Sequence, residues 1–347
     1  MTEAARDVAQ QENPEIFELL DWPELRAAFT LKNDVAKRAK SVGRRTALIG
    51  VAAAGIGAAI LATAPLLDKS LLKATSLVGL ILTLFGGGYS VFHLFQRSGR
   101  TRWLPNRAKA ERIRQFYFQF IINNLSMHLD ALGSEEGKAK LRKERERALT
   151  KALFDLDRKA AETPNLYIDD HLHDQVWQDP AWLDQTFPKG LDAKDRERLA
   201  LLLERLMIQR HQVQLRYAEA NRQDNISAPT ERYKLLEFAA NAVSFGLYAS
   251  AIGAGVQFLL EGSPNLMLAL CGAFGAIGVS LRLIQRGLGL RADAERYDWY
   301  VEAIKSCIQQ YESGNTAQKI HSFRKVEEFA YSEMRQFLRV HHDENVL

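Results

Sequence analysis

Few residues in this chain have the types and spacing that do chemistry. The segment DDHLHD at 169–174 is the one cluster with metal-ligand residue types. On an extended segment His171 and His173, at i and i+2, can converge on one ion, with Asp174 or Asp169 completing the shell. That arrangement would make a hydrolytic metal site. No second cluster stands beside it, and nothing in the sequence brings His341 and His342 of the tail to it. The segment therefore reads as structural and no metal is expected, with the hydrolytic site kept as the alternative. No GxxxxGK[ST] or dinucleotide glycine fingerprint follows a strand, and no GxSxG is present. Gly86, Gly87 and Gly88 form a triplet inside an apolar run, where they cannot cradle phosphate. No catalytic residue and no cofactor are expected, so the chain does not read as an enzyme.

A different chemistry is carried by a repeat. LFQR at 94–97 is matched by LIQR at 283–286, and RAKAER at 107–112 by RADAER at 291–296. Aromatic residues follow each copy: Phe116, Tyr117 and Phe118 in the first, Tyr297, Trp299 and Tyr300 in the second. On a helix, Arg107 and Glu111 share a face, as do Arg291 and Glu295, because residues four apart are neighbours. The alanines keep that face thin and allow close helix contact. The step from the Gln-Arg pair to the motif is ten residues in one copy and five in the other. The first copy thus carries an insertion, SGRTRWLPN, or its helix breaks at Pro105. Two readings of the motif stand side by side. One is an ordinary ion-paired helix beside a membrane; the other is a gate or an assembly surface.

The elements that must position these residues are set by four apolar blocks. Mean hydropathy is only −0.22, yet the apolar residues are concentrated rather than spread. Residues 46–67, 74–95 and 238–260 carry no charge, and 266–281 carry none before Arg282. About 20 apolar residues in a helix span the hydrocarbon core. The fourth block needs Arg282 to snorkel toward the head groups, which makes that arginine a candidate gate at the mouth of the span. DKSLLK joins the first two blocks and EGSPN the last two, each too short for more than a turn. The expected fold is an all-α integral membrane protein with two transmembrane helical hairpins, four spans in all, and long helical cytoplasmic extensions.

Basic residues set the orientation. Lys37, Arg38, Lys40, Arg44 and Arg45 precede the first span, Arg97, Arg100, Arg102 and Arg107 follow the second, and Arg282, Arg286 and Arg291 close the fourth, while the turns carry only Lys69 and Lys73. Both termini and the long middle segment therefore read as cytoplasmic. A net charge of +4 is too weak to argue for nucleic acid, and none is expected as a partner. Cys271 and Cys307 form no disulfide framework, which fits a reducing compartment. The polar first 45 residues hold no cleavable leader pattern.

The expected divisions are a cytoplasmic helical segment at 1–45, the first hairpin at 46–96 and a cytoplasmic helix at 97–161. An irregular, aromatic-pinned connection follows at 162–192, then a cytoplasmic helix at 193–235, the second hairpin at 236–286 and C-terminal helices at 287–347. The charged stretch 138–159 reads as a solvated or coiled-coil face, or as a basic face for anionic lipid or an acidic nucleotide. Within the spans small residues recur at Ala53 and Gly57, Gly246 and Ser250, Ala251 and Gly255, and Gly272 and Ala276, beside the triplet at 86–88. Such spacing lets helix backbones approach in lipid, within a hairpin or between subunits. No Asp or Glu lies in mid-span, which argues against a proton-coupled transporter. Asn241 and Gln257 are the polar residues most costly to leave facing lipid, so they bond across helices or line a polar path.

A two-span hairpin preceded by a charged helix (LLERLMIQRHQVQLRYAEANRQ before the third span) and followed by an R-A-x-A-E-R helix resembles the SLATT group of bacterial two-transmembrane effector domains. The resemblance covers both hairpins and their flanks. It implies a pore-forming or membrane-disrupting effector of a bacterial defence system, in the inner membrane, answering to a nucleotide second messenger or a signalling protein. The chain departs from the simplest pattern in having two hairpins and no fused sensor domain. Four spans give too few walls for a wide pore in one copy, so a pore would need a homo-oligomer in the lipid bilayer. The alternative is a non-conducting, membrane-tethered scaffold or sensor that recruits a cytoplasmic partner.

Overall fold

The computed structural model describes residues 14–96, 98–162, 190–222, 229–261, 265–287 and 290–343. Every regular element among them is helical. In chain order these are α1 (Pro14–Leu20), α2 (Pro23–Thr63), a 3₁₀ turn (Ala64–Leu66), α3 (Lys69–Gln96), α4 (Ser98–Asn123), α5 (Leu125–Gly133) and α6 (Glu135–Glu162). Next come α7 (Ala193–Met207), a π-helical turn (Ile208–Gln212), α8 (Val213–Arg222), α9 (Pro229–Glu261), α10 (Asn265–Gly287), α11 (Leu290–Ser313) and α12 (Thr316–Asp343).

Local chemistry explains the boundaries. Asn124 interrupts the helical stretch after α4: its side-chain amide donates to Phe120 O at 2.7 Å, competing with the backbone ladder. Ser134 interrupts it again, its hydroxyl accepting from Gly137 N at 3.0 Å and so capping α6. The stretch whose periodicity reads as one helix is therefore three. Pro105, by contrast, does not break α4, which runs through it. Gly190, at φ 76°, turns the chain before α7, and Asp192 caps that helix by accepting from Asp195 N at 2.7 Å. A reciprocal capping pair starts α12: Gln318 N donates to Asn315 Oδ1 at 3.0 Å and Asn315 N to Gln318 Oε1 at 2.7 Å.

The described helices fall into two compact units. One gathers α1, α2 up to Ala36, α4 from Leu104, α5 to α8, α11 from Glu295 and α12 as far as Arg339. Its core is apolar in the usual way: Leu19, Trp22, Ile121, Leu129, Leu141, Leu202, Leu203, Leu206 and Phe323 pack together. A satellite cluster joins Ala218, Tyr300, Val301, Ile304, Cys307 and Val326. Even the charged helix α6 takes part. Leu141 and Leu149 are buried, and between them Arg145 donates to Leu19 O, and to Asp21 O at 3.2 Å, with its guanidinium over the Trp22 ring.

The other unit gathers α2 from Lys37, α3, α4 up to Trp103, α9, α10 and the first turn of α11. Four helices are long and apolar enough to cross a membrane, at Pro23–Leu66, Leu71–Tyr89, Glu231–Leu260 and Asn265–Gln285, and this unit holds the first of them from Lys37 on and the other three whole. The α2–α3 pair is antiparallel and glycine-spaced. A Cβ on Gly86 would collide with the backbone of Gly50 and Ala54, and one on Gly57 with the backbone of Thr83 and Gly79. The α9–α10 pair is cushioned by longer side chains, Gly246 receiving the ring of Phe274 and Gly253 the thioether of Met267. Gly55 lies against Ser280 and Gly272 against Ala62, so α2 and α10 also touch.

Candidate functional site

Charge is buried where α4, the π-helical turn, α8, α11 and α12 meet in the first unit. The sequence motif supplies its first member. Arg107 and Glu111 pair at 2.6 Å across one turn of α4, as their spacing predicts, and Arg114 takes the other carboxylate oxygen. Glu111 is only 3% exposed. Burial alone would raise its carboxyl, but the guanidiniums of Arg114, Arg107 and Arg210 outweigh it and hold the group below the usual range. Arg107 also donates to Asn33 Oδ1 at 3.3 Å.

The centre of the cluster is Arg210, 1% exposed and ion-paired through Nε with Glu327 of α12, itself 2% exposed. The guanidinium lies over the Phe118 ring. Gln214, one turn on, joins the two halves: with its amide oxygen toward the arginines it accepts from Arg210 at 2.9 Å and Arg114 at 3.1 Å, and its nitrogen donates to Tyr300 Oη at 3.0 Å. Burial works against the Arg210 charge, but Glu327, Tyr300 and Glu111 outweigh it. The guanidinium is the partner that stays charged. Glu327 is the member that takes up a proton on acidification, raised by burial despite Arg210.

Two histidines of this unit are buried. His128 on α5 is fully buried, with Nδ1 2.7 Å from Asn124 O. His211, beside Arg210 on the π-helical turn, sits 3.3 Å from Ser322 Oγ. Ser322 donates to Lys319 O, so the proton on His211 is assigned to Nε2. Burial lowers both rings to about 3, which keeps them neutral at physiological pH.

The two motif copies are used differently. In the second, Glu295 and Arg291 are exposed, and the buried arginine is Arg296, the sixth position. It pairs with Glu333 at 2.9 Å and stacks on Phe337. Its counterpart Arg112 stacks on Tyr331 at 4.8 Å. What the copies share is the last arginine of the motif, resting on an aromatic ring of α12. Arg210, Gln214, Glu327 and Glu333 are absent from the motif, and sequence reasoning passed over them.

The remaining candidates lie in the apolar unit. Gly86 touches helix backbone, whereas a Cβ on Gly87 or Gly88 would meet nothing within 4 Å. Asn241 and Arg282, both exposed, meet across α9 and α10, Arg282 donating to Asn241 Oδ1 at 3.4 Å. Gln257 is half-buried. The hydroxyls of Thr46, Thr63, Thr83, Ser244, Ser250 and Ser280 each donate to the carbonyl four residues back. The DDHLHD segment and the aromatic connection around it lie outside the described residues. Among the described residues no group of three or more His, Cys, Asp or Glu is placed to hold a metal ion. No family model, curated protein or solved structure matches the chain.

Proposed function

We propose that the chain is a multi-pass protein of the bacterial inner membrane. Two helical hairpins cross the bilayer, both termini stay on the cytoplasmic side, and the protein acts as a membrane effector. In this reading copies assemble through the spans and open or distort the bilayer when a nucleotide second messenger or a signalling protein engages the ionic unit. One observation carries it: four helices of spanning length whose apolar stretches are 29%, 11%, 11% and 6% buried. Apolar surface on that scale requires lipid or another copy as its neighbour. The SLATT-like flanks and the open glycines at 87 and 88 support assembly as the next step. α2, α4 and α11 have residues in both units, which gives a trigger a covalent route to the spans.

A second reading, the non-conducting scaffold, is favoured by the span hydroxyls. Those of Thr46, Thr63, Thr83, Ser244, Ser250 and Ser280 bond to their own helix, so these six donate nothing to a polar lining within one copy. The test is expression in bacterial cells with a potential-sensitive dye. Depolarisation that Gly86→Leu abolishes supports the effector. An unchanged potential, with function retained when the spans are replaced by an unrelated anchor, supports the scaffold.

A further inference from the structure

Arg282 and Asn241 form a polar pair on the most exposed face of α9. Phe238 and Phe245, three residues before Asn241 and four after it, share that face with it and are 73% and 76% exposed. Tyr248 and Ile252 continue the face at 69% and 71%. An asparagine in such a stripe is costly in lipid unless it is paired. The pair's depth follows from helix rise. Asn241 lies twenty residues before Glu261, the end of α9, which at 1.5 Å per residue is roughly 30 Å, one hydrocarbon thickness. Arg282 lies seventeen residues past Asn265, the start of α10, or roughly 26 Å, and its own length carries it to the same level. Beyond that level on α2, Lys40 sits over the Trp103 ring at 5.0 Å, a basic–aromatic pairing typical of head-group depth.

The pair is rich in donors. Asn241 Oδ1 accepts from the guanidinium, and the amide N–H groups of Asn241 and the other N–H groups of Arg282 are not used in that bond. Donors carrying positive charge match phosphate oxygens, and the flanking Phe238 and Phe245 match acyl chains. We infer that Arg282 and Asn241 form a phosphate-binding site at the membrane boundary, and that its occupant is the phosphodiester of an anionic phospholipid. The inference rests on the reading of α9 and α10 as spans.

The test uses the full chain in detergent, titrated separately with phosphatidylglycerol and inorganic phosphate while thermal unfolding is followed. Phosphatidylglycerol raises the unfolding midpoint, and Arg282→Gln weakens its apparent affinity about tenfold, as loss of a charge-assisted contact should. Asn241→Asp, which keeps the arginine but turns a carboxylate toward the phosphate, weakens it as much. An equal lipid response in wild type and both variants overturns the site. A matching, Arg282-dependent response to inorganic phosphate overturns the lipid as its source. Alkaline carbonate washing of reconstituted vesicles separates this from the spanning reading: release of the wild-type chain sinks the spans, whereas retention of all three proteins leaves the titration to decide the site.

Discussion

Arg210 and Glu327 each occupy a place in the core where an apolar side chain would sit, and both are almost completely removed from water. Breaking such a pair leaves a lone charge in a low-dielectric interior, which costs far more than losing the attraction itself. Arg210→Met should therefore destabilise the ionic unit by about 3–5 kcal/mol in chemical denaturation. Adding Glu327→Leu should recover much of that loss, because the stranded carboxylate goes too. A double variant no more stable than the single would count against this account. The histidines add a pH dependence. His128 and His211 titrate near 6.5 when unfolded and near 3 when folded, both lowered by burial. Between those values the unfolded chain binds protons that the folded chain refuses, so their contribution is complete above about pH 6.5 and is lost as pH falls toward 3. Glu327 and Glu333, raised by burial, act in the opposite sense above their ordinary value of 4.5, where the folded state holds the extra proton, and so oppose part of that loss. His128→Gln combined with His211→Gln should flatten the urea midpoint against pH over that range. An unchanged profile would place these rings outside the acid response.

At the level of the helices, glycine position decides between two uses of the same residue type. Gly57 and Gly86 let the α2 and α3 backbones touch, and the open faces of Gly87 and Gly88 do not serve that contact. Gly86→Leu should force the two helices apart, lowering the thermal midpoint of the detergent-solubilised protein and exposing the α2–α3 turn to protease. Gly88→Leu should leave both unchanged. If Gly88→Leu lowers the midpoint as far, the seam drawn here is wrong. Only part of this was legible in the sequence. The apolar blocks announce α2, α3, α9 and α10 because lipid-length apolar runs have few other fates, and the short turns announce their pairing. The triplet at 86–88 reads as one feature, since sequence carries no information on which glycine meets a neighbour's backbone. The ionic cluster left a trace that went unread. Leu199, Leu202, Leu203 and Leu206 step onto Arg210 and Gln214 at helical spacing, and Ile320, Phe323 and Val326 onto Glu327 and Ala330. A lone charge of opposite sign in each of two apolar stripes predicts a buried pair. The π-helical turn that aims Arg210 inward is not written in any residue type.

For the whole molecule, the two units obey different solvents. The ionic unit buries an apolar core in the manner of a water-soluble protein, while the other leaves its apolar side chains outward: Phe245 at 76%, Leu259 at 82% and Leu260 at 79% exposed. That inversion is the expected signature of helices solvated by lipid, where packing comes from close backbone approach and no apolar core is needed. It also bears on conduction. One copy supplies four helices, glycine meets helix backbone between α2 and α3, and six of the span hydroxyls are turned to their own carbonyls. Those six give a water-filled path through a single copy little polar wall. On the proposed effector reading the path runs between copies, walled by faces such as that of Gly87 and Gly88. Ion flux from vesicles reconstituted with the full chain should therefore rise more steeply than the first power of the protein-to-lipid ratio. Gly88→Leu should lower the flux while leaving the thermal midpoint of the detergent-solubilised protein in place. Flux strictly proportional to protein density would mean that single copies conduct, and the reading of the spans as parts of an assembled wall would fall.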